Sequence, residues 1–140
     1  MTLDMHVRAG ETAHDNLTVD ISAADAGWGF SGLRVVNLAA GESATLTSGD
    51  CELLVLPLEG GVSVEVDSET YQINGRTGVF EQITDSLYIP RHKSFTLASA
   101  QGGRFALPSS VATRDLPVRY LPREKATTGI RGAGDCSRQV

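Results

Sequence analysis

The sequence predicts an all-β fold, and three observations carry the prediction. Apolar residues recur with a period of two rather than about 3.6, short β-branched runs are punctuated by Gly, Pro, Asn or Ser, and no segment shows a long amphipathic helical pattern. Strands of this kind at roughly 8 to 12 residue spacing indicate a sandwich or a closed barrel. A chain of 140 residues holds one domain with a real core, which needs neither disulfide nor metal to be stable.

The strands begin after the segment Gly27-Trp28-Gly29-Phe30-Ser31-Gly32, so residues 1–26 read as a lead-in. Leu33 to Leu38 is a β-branched run, Ala39-Ala40-Gly41-Glu42-Ser43 a turn, and Ala44-Thr45-Leu46-Thr47 resumes the alternation before Ser48-Gly49-Asp50 breaks it. Glu52-Leu53-Leu54-Val55-Leu56 is apolar throughout, as in a strand covered on both faces, and Pro57 marks its end or a bulge. Glu59-Gly60-Gly61 reads as the next turn. Val62-Ser63-Val64-Glu65-Val66 has one dry face made of three valines. Tyr71 and Ile73 lead to an Asn74-Gly75 turn signal, and Val79-Phe80, Leu87-Tyr88-Ile89, Phe95-Thr96-Leu97 and Arg104-Phe105-Ala106-Leu107 complete about eight strands. The barrel thus spans 27–110. Residues 111–140, with Pro117, Pro122 and a Gly-rich end, read as an extended basic linker or tail, whose order would point to a neighbour that holds it.

No apolar run approaches the roughly 20 residues of a membrane span, and the start of the chain has no signal-peptide character, so the protein reads as soluble and cytoplasmic. Cys51 and Cys136 then read as reduced thiols. The net charge of −5 conceals an asymmetry: residues 1–90 hold 14 acidic and 3 basic side chains, and residues 91–140 hold 3 and 9. The basic half offers a surface for an anionic ligand or an acidic partner domain, or else a solvated tail. It lacks the dense blocks and aromatic interleaving of a nucleic-acid groove, which argues against nucleic acid as a partner.

Candidates for chemistry are few. His6, His14 and His92 make no metal-binding spacing, and Gly29-Phe30-Ser31-Gly32 lacks the spacing of a nucleophile elbow, so no catalytic residue and no metal ligand is assigned. Arg91-His92-Lys93, after Ile89-Pro90, places cationic or titratable groups at a strand end, where they can grip a carboxylate or form a polar hairpin tip.

Leu38-Ala39-Ala40-Gly41-Glu42, a strand, Glu52 and then Glu59-Gly60 resemble the first sequence block of the cupin superfamily, in which a glycine, a His-x-His pair, a glutamate and a closing glycine frame a metal site inside a small RmlC-like barrel or jelly roll. Thr45 and Thr47 fall in the histidine slots and Glu52 in the glutamate slot. The second block, Pro-x-Gly-x-x-His, falls on Pro90 to Phe95, with Phe95 in the histidine slot. Threonine hydroxyls and an aromatic ring build no divalent-metal site, so none is expected in this chain.

Three further features resemble the 5-deoxy-glucuronate isomerases of myo-inositol catabolism, whose chains contain two cupin halves. They are Gly27-Trp28-x-Phe30 followed by Leu38-x-x-Gly41-Glu42, the Val79-Phe80-Glu81 and Leu87-Tyr88-Ile89-Pro90 pair, and above all Arg131-Gly132-Ala133-Gly134-Asp135-x-x-Arg138-Gln139-Val140. The resemblance implies an amino-terminal half of an enzyme that isomerises an aldose sugar acid to a ketose, with the divalent metal in the second half. It implies a structural or interface role for this chain, in a homo-oligomer or docked to the second half. Two other classes remain open. One is a free-standing cupin that binds a small carboxylate or sugar acid in a barrel lined by Thr45, Thr47, Glu52 and Tyr88, with Arg91 and His92 at its rim. The other is an interaction domain that docks through its basic tail.

Overall fold

The computed structural model describes residues 6–140, so the reading of Met1 to Met5 as free of a signal lies outside the described residues. The elements are β1 (Leu17–Ile21), β2 (Ser31–Leu38), β3 (Glu42–Thr47), β4 (Cys51–Val66), β5 (Glu69–Arg76), β6 (Ser86–Ile89), β7 (Ser94–Ser99), β8 (Gly103–Val111), β9 (Arg119–Leu121), β10 (Ile130–Arg131) and β11 (Arg138–Gln139). Two short 3₁₀ turns, at Arg123–Lys125 and Gly134–Cys136, are the only helical segments among the described residues.

One face of the barrel is the antiparallel sheet β1-β2-β8-β4-β6-β9. The other is made by β5, the second half of β4, β7 and β3. A single strand, β4, belongs to both. Its residues 51–59 pair with β6 and β8, and its residues 60–66 pair with β5 and β7. The sequence divided this stretch into two strands with a turn at Glu59-Gly60-Gly61. The chain instead bends there without reversing, through register shifts between Pro57 and Glu59 and between Gly60 and Val62. Arg76 Nε donates to the Pro57 carbonyl at 2.9 Å and so satisfies the acceptor that the bulge exposes.

Other expectations are also corrected. Asn74-Gly75 is no hairpin turn: Gly75 lies inside β5 and pairs the corner of β4, while the turn from β4 to β5 is Asp67-Ser68, whose φ values of 53° and 63° match the right-handed twist of the hairpin. Val79-Phe80 is not a strand but part of the loop between β5 and β6, where Phe80 is 98% exposed. β1 lies in the segment read as a lead-in, pairs with β2 and buries Leu17 in the core. Its alternation was hidden by the bulge between Leu17 and Val19.

The core is the set of inward positions the period predicts. Val62, Val64 and Val66 join Leu53, Val55, Leu87, Ile89, Phe95, Leu97, Phe105 and Leu107 in one cluster, all buried. Each such side chain contributes roughly 1.5–3 kcal/mol relative to exposure. In the segment read as linker, β9 adds to the edge of β6, and its Tyr120 packs against the core. Tyr120 Oη donates to Asp85 at 2.6 Å, and Arg123 reaches the Gly75 carbonyl at 2.8 Å. Residues 119–123 are therefore held by the barrel of the same chain. β10 and β11 pair with each other as an exposed hairpin.

Candidate functional site

The four residues expected inside the barrel all face outward. On β3 the inward positions are Ala44 and Leu46, which pack against the core, while Thr45 and Thr47 are exposed. Thr45 Oγ1 lies 2.8 Å from Thr96 Oγ1, a cross-strand pair on the outer surface. Strand periodicity is strict, so one step in register turns every side chain to the other face. On β4 the inward series is Leu53 and Val55, so Glu52 and Leu54 point out. On β6 it is Leu87 and Ile89, so Tyr88 points out beside Leu54, its cross-strand neighbour.

Glu52 and Tyr88 do meet, but on the outer face of the larger sheet. Tyr88 Oη donates to Glu52 Oε2 at 2.7 Å. Burial, and then the bond to Glu52, push the phenol up to about 12. The pair is a hydrogen-bonded lock between β4 and β6. Replacing Tyr88 by phenylalanine is expected to cost about 1 kcal/mol, as for one net hydrogen bond, read as the shift in urea midpoint.

The loop Arg91-His92-Lys93 meets carboxylates of its own chain. Arg91 makes a forked pair with Asp115, at 2.8 and 3.2 Å, and donates a further bond to the Ala112 carbonyl. This pairing holds the Asp115 carboxyl below its ordinary range, chiefly through the hydrogen bond. His92 Nε2 lies 3.0 Å from Asp50, and Lys93 Nζ donates to Asp67 at 2.6 Å. The grip expected for a ligand is thus spent on staples that fix the β6–β7 turn to its neighbours.

The inward positions of β3, the first half of β4 and β7 are Ala44, Leu46, Leu53, Val55, Phe95 and Leu97, none with a ligating atom. No group of three or more His, Cys, Asp or Glu side chains able to hold a metal occurs among the described residues. Cys51 and Cys136 are both free thiols. The polar group that sequence reasoning missed is Arg34. It stands inside the run 33–38, where Val35 and Val36 are both buried and so obscure which face is the inner one.

The larger sheet has an apolar outer face. Cross-strand neighbours there are Leu33 with Pro108, Val35 with Ala106, Leu56 with Ala106, and Leu54 with Tyr88. An antiparallel sheet that faces water commonly carries polar residues at such positions; here Val35 and Ala106 are already buried within the chain, and Leu33 is exposed.

Two antiparallel sheets that share β4 and enclose an apolar interior define a cupin-type barrel domain. The profile of the KduI/IolB family matches residues 5–140, and the chain belongs to that family. It is 29% identical over 119 residues to a 5-deoxy-glucuronate isomerase of Bacillus velezensis, covering 84% of this chain and 44% of the relative. A 5-deoxy-glucuronate isomerase of Bacillus subtilis (strain 168) is 30% identical, over 76% of this chain and 39% of its own. Among solved structures, an IolB-like protein from Salmonella typhimurium LT2 superposes with a TM-score of 0.82 at 31% identity, covering 91% of this chain and 49% of that one. A putative glyoxylate-induced protein from Pseudomonas aeruginosa shares the fold, with a TM-score of 0.62 at 14% identity over 85% of this chain and 45% of that one. The chain thus spans less than half the length of the curated relatives it matches. No helix among the described residues is long and apolar enough to cross a membrane.

Proposed function

We propose that this chain is the amino-terminal cupin half of a 5-deoxy-glucuronate isomerase, and that it serves there as a packing and interface domain. The observation that carries the reading is the apolar outer face formed by Leu33, Leu54, Leu56, Tyr88 and Pro108, which suits a second cupin barrel. The relatives are about twice as long as the matched region and so have the length to supply one. The apolar interior supports the same division of labour. In this reading the divalent metal, which polarises substrate oxygens during aldose–ketose isomerisation, is held by the other half. None of the side chains described here takes part in that proton transfer.

The intact mass of the protein from its source is expected to be about twice the 14.8 kDa of this chain. The 140-residue chain alone is expected to show no sustained turnover of 5-deoxy-glucuronate. A native mass equal to 14.8 kDa, or turnover that survives a chelator, overturns the proposal.

A further inference from the structure

At one mouth of the barrel the inner faces of three neighbouring strands change from apolar to polar. On β2 the inward series runs outward from Leu38 and Val36 to Arg34, and on β8 from Phe105 and Leu107 to Ser109. On β4 it runs from Val55 and Leu53 to Cys51. These groups, with the end of β1 and the Thr47-Ser48-Gly49 turn, line a cleft of about 230 Å³. That is room for one small organic acid.

Arg34 is half-buried in this cleft, and burial lowers its pKa. A guanidinium stays charged in proteins, so this is a desolvated cation with five donors. Among the described residues it donates one hydrogen bond, to the Thr47 carbonyl at 2.9 Å, and pairs with no carboxylate. The nearest acid along the sheet is Asp20, its cross-strand neighbour on β1. That carboxylate is turned to His14, whose Nε2 lies 2.8 Å away. The Ser109 hydroxyl makes no hydrogen bond to a described residue. Between them lies Gly32, where a Cβ would stand 2.9 Å from Ser109 Oγ and 3.0 Å from the Ile21 carbonyl. Any larger residue at 32 would intrude on the wall that Ser109 and β1 form.

The half-buried Arg34 guanidinium spends one donor on the Thr47 carbonyl, and its remaining donors, like the Ser109 hydroxyl, stay open to the cleft, where an anion can take them. We propose that this cleft binds the carboxylate of a small hydroxylated acid, with Arg34 as the charge-assisted donor and the Ser109 hydroxyl beside it. Asp20, also in the wall, disfavours a doubly charged phosphate and can accept from ligand hydroxyls. The site is formed within this one chain, so it stands whether or not a second barrel accompanies it.

The test is a titration of the ¹⁵N-labelled 140-residue chain at low ionic strength with D-glucuronate, with D-glucose, which lacks the carboxylate, and with inorganic phosphate. D-Glucuronate is expected to give saturable amide shifts centred on Gly32, Arg34, Gly49, Cys51 and Ser109, D-glucose none, and phosphate weaker ones. Arg34→Gln is expected to weaken D-glucuronate binding about tenfold or more, and Ser109→Ala severalfold. Arg104→Gln, which removes an equal charge from an exposed position, is expected to leave it unchanged. Should Arg34→Gln fail to fold, the location of the wild-type shifts and the Ser109→Ala titration still decide. Shifts centred elsewhere, equal binding of D-glucose, tighter binding of phosphate, or no saturable response would each overturn the proposal.

Discussion

Asp85→Ala is expected to cost about 3 to 4 kcal/mol of folding stability, the sum of leaving several buried donors without an acceptor. Asp85 is 2% exposed and stands at the start of β6. Its two oxygens accept from the Asn74 and Gly75 amides, each at 2.8 Å, and from Tyr120 Oη at 2.6 Å. One carboxylate therefore ties β5, β6 and β9 together, and alanine would release all three. The melting temperature of a domain of this size should fall by on the order of 10 °C. Faster exchange at the Asn74 and Gly75 amides would locate the damage, and a midpoint within 1 °C of wild type, on the order of a few tenths of a kcal/mol, would show that the hub contributes nothing.

The same residue gives a pH dependence of fixed sign. Burial pushes the Asp85 carboxyl up, but the bonds from Tyr120, Asn74 and Gly75 outweigh it, and the net shift is downward. Because the folded-state pKa lies below the unfolded one, the carboxylate stabilises the fold above the ordinary aspartate value of roughly 3.9. That contribution is lost as pH falls from there through the folded value. Urea midpoints measured between neutral pH and the acid limit should decline in this window for the wild type. Asp85→Asn, which cannot titrate, should lack this component.

Gly75→Ala is the second large effect, expected at about 3 kcal/mol or more. Gly75 has φ of 70°, and a Cβ there would fall on the Gly60 carbonyl oxygen at the corner of β4. Left-handed strain alone costs roughly 1–2 kcal/mol. The remainder comes from displacing the backbone of a corner that is itself closed against Gly102 and Gly103. Gly41→Ala separates the two causes. Gly41 has φ of 78° but open space around its missing side chain, so it should lose only the strain, about 1 kcal/mol. Equal losses at the two positions in urea unfolding would remove the case for a crowded corner. Gly75 also donates to Asp85 and accepts from Arg123, so Gly75→Ala and Asp85→Ala should be markedly non-additive in the double variant.

Much of the fold was legible because alternation is a local property. Val62-Ser63-Val64-Glu65-Val66, Leu87-Tyr88-Ile89 and Phe95-Thr96-Leu97 have the faces their patterns state, and their apolar members form the core. Where the pattern breaks, a tertiary device is at work. Glu59-Gly60-Gly61 reads as a turn by composition, yet its glycines serve close backbone approach at a strand corner. Leu54 and Leu56 make the first half of β4 read as covered on both faces, whereas both lie only half-buried on the outer side of the sheet.

The candidate site was less legible. Thr45 and Thr47 were placed by their distance from Gly41, and their face depends on a register that β7 sets through its pairing with β3. Arg91, His92 and Lys93 read as cationic or titratable groups at a strand end, but the acids they meet, Asp115, Asp50 and Asp67, come from three separate stretches of chain.

The sequence by itself determined the class of fold, the dry faces of its clearest strands and the family, because each is written in short-range periodicity or in motifs. Only the tertiary structure decided that β4 joins both sheets, that Tyr120 and Arg123 return to close the barrel, and that Arg34 and Ser109 share a mouth cleft. These depend on contacts between residues far apart in sequence, whose partners are fixed by register and closure and leave no local trace in the chain.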